Sequence, residues 1–302
     1  MNRTAKGFLL AATGGVFWGL SGIFAKFLFL DGIDAVWLVS ARLVFGGGLL
    51  VLWSLIRQGK RACRVFRTPK DRLHLVIFAI LGMFGVQFTY FMSIDASNPA
   101  VATILQYIFP VIVLSYTLLH ERRHASGTEL LVLALIVAGV FLLTTHGRFG
   151  ELAISGKALF WGLLSAITAA FYSTYPTRLL EEYGSTSIVG WGMFIGSIPC
   201  LPFLFTRFDP AVLTGTNLAF LLGVIVIGTA LGFAFFLEGV RMVGPVIGSL
   251  LASLEPLTAA FCTVLFLGQV FLPPDITGIV LILAGVTLLS VRSGRTTKKS
   301  PA

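Results

Sequence analysis

Residues 102–122, ATILQYIFPVIVLSYTLLHER, and residues 248–269, GSLLASLEPLTAAFCTVLFLGQ, decide how this chain is read. Each is an apolar run long enough to cross a bilayer, at about 20 residues per span. Each also carries a proline inside what would be a helix, Pro110 in the first and Pro256 in the second. The two prolines are 146 residues apart. Sliding the chain by that offset aligns residues 82–144 with 228–290 without a gap, with thirteen identities that include Gly82 with Gly228, Pro99 with Pro245 and Gly139 with Gly285. The segment Leu135–Leu143 matches Leu281–Leu289 at seven of nine positions. Apolar helices resemble one another by chance, but coincident prolines in one register over three helices mark an internal repeat.

The rest of the chain has the same character. Of 302 residues 56% are hydrophobic and only 12% charged, with a mean hydropathy of +0.93. A soluble domain carries about twice that share of charge, so a soluble enzyme and a disordered chain are both excluded. Hydropathy over a window of about 19 residues places spans near 7–30, 34–57, 73–94, 98–119, 128–146, 156–179, 186–206, 215–239, 245–267 and 273–291. The pairs Asn98-Pro99, Gly244-Pro245 and Pro273-Pro274 open spans four, nine and ten, as expected of proline at a helix start. The fold expected is an all-α integral membrane body of ten helices. Its first apolar run lacks a small-x-small cleavage site and is expected to stay as the first helix.

A net charge of +9 and a pI near 9.8 would suit a nucleic-acid binder, but the charges are placed for a membrane. Seven of the 22 basic residues, Arg57, Lys60, Arg61, Arg64, Arg67, Lys70 and Arg72, fall in one stretch between two spans, which reads as a topogenic, lipid-facing loop. With the N-terminus in the cytoplasm, inside segments hold seventeen Lys and Arg against three outside. That split favours an even number of spans with both termini cytoplasmic in a multi-pass protein of the cell (inner) membrane. Two repeats, 1–147 and 148–302, then hold five spans each. Because five is odd, the second starts on the opposite face from the first, which is the inverted topology of secondary transporters. Cys63, Cys200 and Cys262 show no pairing or metal-ligand spacing.

Charges inside spans are costly and mark function. Glu255, ten residues into span nine, lies near the midplane at 1.5 Å per residue, where it can bind a substrate cation or take up a proton. Arg42 in span two and Lys26 in span one are candidates to hold a carboxylate or phosphate or to act as a charged gate, although Lys26 can also snorkel outward. Glu238 beside Arg241 reads as an interfacial pair. Thr103, Gln106, Tyr107 and Pro110 recur at i, i+3, i+4 and i+7, one stripe of a helix. The repeat puts Ser249, Ala252, Ser253 and Pro256 on the matching stripe, with Glu255 at its flank. Pro110 and Pro256 should kink their helices and free the carbonyls of Gln106 and Ala252. Trp18, Gln87, Tyr90 and Tyr172 supply aromatic walls and polar tips for a small organic ligand.

The stretch Ala102–Arg122 resembles the signature of the drug/metabolite transporter superfamily, EamA type, in its small and apolar run, central proline and terminal Glu-Arg. The second copy is similar and has Glu255-Pro256, while Gln269 stands where that family usually has Glu. Trp18-Gly19, Lys26 and Arg42 also resemble family positions. The resemblance implies a ten-helix secondary carrier for small organic solutes, often exported and including amino acids, that works by alternating access between two rocking repeats.

No GxxxxGK[ST], HExxH or GxSxG motif is present, and the four histidines fall at span ends, so an ATP-driven pump or membrane hydrolase has little support. The leading expectation is a transporter, not an enzyme, with no cofactor and no metal. It would bind a small-molecule substrate and membrane lipids, with or without a coupled proton, and no nucleic acid. The alternatives are an integral-membrane enzyme acting on lipid or prenyl phosphates, a transporter of organic cations, nucleosides or vitamins, and a channel or scaffold.

Overall fold

A computed structural model describes residues 3–297 except 121, 123, 149–152 and 208; for 3, 245, 246, 249, 250 and 289–297 it describes the backbone alone. Among the described residues every regular element is helical. In chain order the longer ones are α1 (Arg3–Leu30), α2 (Ala35–Arg67), α3 (Pro69–Ala96), α4 (Pro99–Gln106 and Phe109–His120) and α5 (Gly127–Thr145). Then follow α6 (Gly156–Thr174 and Thr177–Tyr183), α7 (Ser185–Thr206), α8 (Gly215–Val243), α9 (Pro245–Ala252 and Leu254–Leu267) and α10 (Pro273–Thr297).

Local sequence starts these helices where side-chain oxygens can take up free backbone N–H groups. The Asn98 side chain accepts from the Val101 amide at 3.0 Å just before Pro99. Asp34, Ser155 and Thr214 do the same for α2, α6 and α8.

Among the described residues seven helices are long and apolar enough to cross a membrane, and eight if the two parts of α6, bent by 44°, count as one span. The described apolar part of α10 and the longer piece of α9 are shorter. The stretch 57–72 differs from the open loop expected of it. Its residues Gly59–Arg67 are a 3₁₀ helix that forms the last part of α2. It is held down by buried Ala62 and Val65 and by Trp191 Nε1, which donates to the Ala62 carbonyl at 2.9 Å.

Glycines bring the helices together, since a missing Cβ lets backbones approach closely. Helix α1 packs on α8 and α9, and α6 packs on α3 and α4. A Cβ on Gly19 would lie 2.6 Å from Thr258 Cβ and 2.7 Å from the Glu255 carbonyl. Helices α5 and α10 meet where Gly139 faces Ile282 and Gly285 faces Ile136. Residues 136 and 139 correspond to 282 and 285 under the 146-residue offset, so this contact maps onto itself when the halves are exchanged. Residue numbers rise along α5 as they fall along α10, so the pair is antiparallel. Helices α2 and α7 repeat the pattern: Gly47 faces Met193 and Phe194, while Gly190 faces Leu50 and Val51.

The corresponding parts of α3 and α8, Phe78–Phe84 and Gly223–Leu231, are both π-helical. The breaks in α4 and α9 also correspond, at Tyr107 and Ser253. Pro110 and Pro256 each follow the break by three residues, in the first turn of the restarted helix, so the interruption falls where each missing N–H would have met the carbonyl four residues back.

Candidate functional site

The two breaks face each other. Proline at 256 removes the N–H that would have bonded the Ala252 carbonyl, and that carbonyl accepts from the Tyr107 hydroxyl at 2.7 Å. Glu255 Oε2 lies 3.4 Å from the same hydroxyl. A group freed in one half is thus satisfied by a side chain from the other, as an unpaired carbonyl inside a membrane requires.

Beside this junction is a cavity of about 250 Å³. Arg42, Gln87, Tyr90, Gln106 and Tyr107 line it from the first half, and Tyr172, Phe233, Phe236, Ala252 and Glu255 from the second, with Trp18 of α1 between them. The repeat register explains its uneven chemistry. Gln87, Tyr90 and Gln106 are polar where their counterparts Phe233, Phe236 and Ala252 are apolar, and the sense reverses only at Phe109 and Glu255. The first half therefore contributes most of the hydrogen-bonding side chains, and the second half contributes Phe233 and Phe236.

Arg42 is almost completely buried at the start of a π-helical stretch, Arg42–Gly46. Its Nε donates to Thr229 Oγ1 at 2.8 Å, its Nη2 donates to the Gly228 carbonyl at 3.3 Å, and its guanidinium lies 4.9 Å from the centre of the Phe91 ring. Thr229 in turn donates to the carbonyl of Val224, five residues back, a partner available because α8 is π-helical there. Among the described residues neither Arg42 nor Glu255 has an ion-pair partner. The cavity is thus bordered by a guanidinium and a carboxyl group that lie beyond ion-pair distance of each other.

Of the residues singled out from sequence, Trp18, Arg42, Gln87, Tyr90, Gln106, Tyr107, Tyr172 and Glu255 line this cavity. Glu255 does so although it was placed at the flank of its stripe. The break at Ser253 resets the direction of the helix, so the count of about 100° per residue does not carry across it. Thr103 is fully buried behind Tyr90: it donates to the Pro99 carbonyl at 2.7 Å and accepts from the Tyr90 hydroxyl at 2.8 Å.

Ser253, Pro110 and Pro256 lie at the breaks and outside the lining. Lys26 is not brought to the cavity. Its Nζ donates to the carbonyls of Ile94 and Asp95, each at 3.2 Å, at the negative end of the α3 dipole. Glu238 and Arg241 pair at 2.7 Å as expected. The side chain of Ser249, Glu121 of the first signature, and the charges at Arg123, Lys298 and Lys299 lie outside the described residues.

Sequence reasoning missed Phe233 and Phe236, which the register with Gln87 and Tyr90 would have found. It also missed Thr229, for which the sequence carries no signal. Among the described residues no group of His, Cys, Asp and Glu is arranged to hold a metal ion.

Apolar helices and a cavity lined by residues of both matching halves, polar and aromatic together, are the features of a multi-pass membrane transporter. The chain belongs to the EamA-like transporter family, whose model matches residues 5–145 and 156–291. It is 37% identical, over 98% of both chains, to the uncharacterized inner membrane transporter YicL of Salmonella typhimurium. An uncharacterized transporter of Archaeoglobus fulgidus is 27% identical over 89% of this chain and 92% of its own. The uncharacterized transporter YwfM of Bacillus subtilis is 26% identical over 91% and 90%. A solved crystal structure shares the fold at a TM-score of 0.63, covering 98% of this chain and 99% of that one at 18% identity.

Proposed function

We propose that this protein is a secondary transporter that moves small organic metabolites, amino acids or related compounds, out of the cell across the inner membrane by alternating access. Ten helices form two inverted five-helix repeats, 1–147 and 148–302, with both termini cytoplasmic. The observation that carries the reading is the cavity built by both halves, with Arg42 and Glu255 facing it unpaired. A zwitterion satisfies that pair of charges: its carboxylate can take the planar fork of Arg42 and its ammonium the carboxylate of Glu255, while its side chain rests on Trp18, Phe233 and Phe236.

The exchanged contacts of α5 with α10 and α2 with α7 support the inverted arrangement. Helices swapped by a two-fold rotation and packed antiparallel need an axis perpendicular to their length, and for membrane-spanning helices that axis lies in the membrane plane. Rocking one half against the other about the Tyr107–Ala252 contact would open the cavity to each side in turn. Glu255 is the group that would carry a coupled proton.

Counterflow in proteoliposomes tests the carrier reading. Amino acid loaded inside should accelerate entry of labelled amino acid from outside, and Arg42→Ala should weaken zwitterions and anions more than cations. Flux without trans-acceleration would mean a channel, and equal loss of every ligand in the Arg42 variant would mean that the residue supports folding only.

A further inference from the structure

The 3₁₀ helix Gly59–Arg67 carries a feature that transport does not use. With three residues per turn, side chains at i, i+3 and i+6 eclipse. One edge therefore holds Ala62 and Val65, both buried against the bundle, while another holds Arg61, Arg64 and Arg67 in a single exposed file. At about 2.0 Å of rise per residue, neighbouring arginines in the file are roughly 6 Å apart. The platform is fixed, because Phe66 packs edge-on against Trp191 at 4.9 Å and Trp191 donates to the Ala62 carbonyl.

Three carboxylates near this end are engaged elsewhere. Asp71 accepts from Arg178 and from the Tyr183 hydroxyl, Glu182 pairs with Arg178, and Glu238 pairs with Arg241. Among the described residues none of Lys60, Arg61, Arg64 and Arg67 is within ion-pair distance of a carboxylate. Next to the file the helices turn exposed apolar side chains outward: Trp53 and Ile56 on α2, Leu73 on α3. Arg57 lies 5.0 Å over the exposed Trp53 ring, at the boundary between the two kinds of surface.

We propose that the Arg61–Arg64–Arg67 file is a binding site for the phosphate of an anionic phospholipid, with its acyl chains along the exposed faces of α2 and α3. A soluble phosphate matches only the cations and a neutral lipid only the apolar faces; an anionic phospholipid matches both. Basic residues beside an anionic membrane surface each add about fivefold in affinity.

Detergent-solubilised protein with fluorescent phosphatidylglycerol gives the test, with phosphatidylcholine and sn-glycerol 3-phosphate as controls. Phosphatidylglycerol should bind tightly and lose affinity at high salt. The triple variant R61Q/R64Q/R67Q should bind it roughly 100-fold more weakly, and R61K/R64K/R67K should retain most of the affinity and the same melting temperature. Equal binding of phosphatidylcholine, or full binding by the triple Gln variant, would overturn the site. Displacement of the lipid by glycerol 3-phosphate at matched concentration would make it a soluble-phosphate site and overturn the lipid assignment.

Discussion

Tyr107→Phe removes a single oxygen atom, and its consequence depends on a proline in another helix. The hydroxyl donates at 2.7 Å to the Ala252 carbonyl, which lacks a helical partner because residue 256 has no N–H. A neutral hydrogen bond contributes about 1 kcal/mol net, and leaving a buried acceptor unsatisfied costs about 1–3 kcal/mol. Ala252 borders the cavity, where water can partly replace the hydroxyl, so the lower end applies, about 1 kcal/mol.

In a Pro256→Ala background the restored N–H can bond the Ala252 carbonyl within the helix, and the tyrosine becomes dispensable there. A double-mutant cycle read by equilibrium unfolding in detergent should therefore give a coupling of about 1 kcal/mol between residues 107 and 256. Transport should fall in Tyr107→Phe and recover less than stability does in the double variant, because straightening α9 also turns Glu255 away from the cavity. Equal destabilisation by Tyr107→Phe with either proline or alanine at 256 would refute this account of the break.

Thr229→Val is nearly isosteric but cannot accept from Arg42 Nε, so KM for a zwitterionic substrate should rise severalfold with little change in maximal rate, and Thr229→Ser should restore it; indistinguishable Val and Ser variants would remove Thr229 as the group that aims Arg42. Glu255→Gln should flatten the dependence of uptake on pH over roughly pH 5 to 8 if the carboxylate carries the coupled proton, and a profile like that of the parent protein would take Glu255 out of coupling. Gly139→Ala should destabilise by about 1–3 kcal/mol, because the new Cβ would lie 2.6 Å from the Gly278 carbonyl. Gly127→Ala, in open space, should leave the melting temperature unchanged, and equal melting temperatures for the two variants would mean that the α5–α10 contact tolerates separation.

The residues of the site were legible in the sequence to different depths. Tyr107, Gln106 and Arg42 stood out because a polar group in an apolar span has no water to turn to and must face protein or a cavity. Glu255 stood out as a charge, but its stripe was projected through a helix that is in fact interrupted at Ser253. Lys26 carried the same kind of signal as Arg42 and went elsewhere, to the end of α3, because its long stem reaches carbonyls there. Thr229 resembled any buried threonine until the π-helical turn of α8 aimed it at Arg42.

The linear chain determined that this is a membrane protein, where its apolar runs lie and that its halves match. Those properties follow from partitioning between water and lipid and from backbone hydrogen bonds that close within each helix, so each segment carries its own answer. Tertiary structure decided which orphaned carbonyl meets which hydroxyl, which way Glu255 turns after the break, what grips Arg42, and that the basic stretch at the end of α2 winds into a fixed 3₁₀ helix. Each of these depends on contacts between segments more than a hundred residues apart, and local preference has no access to such distances.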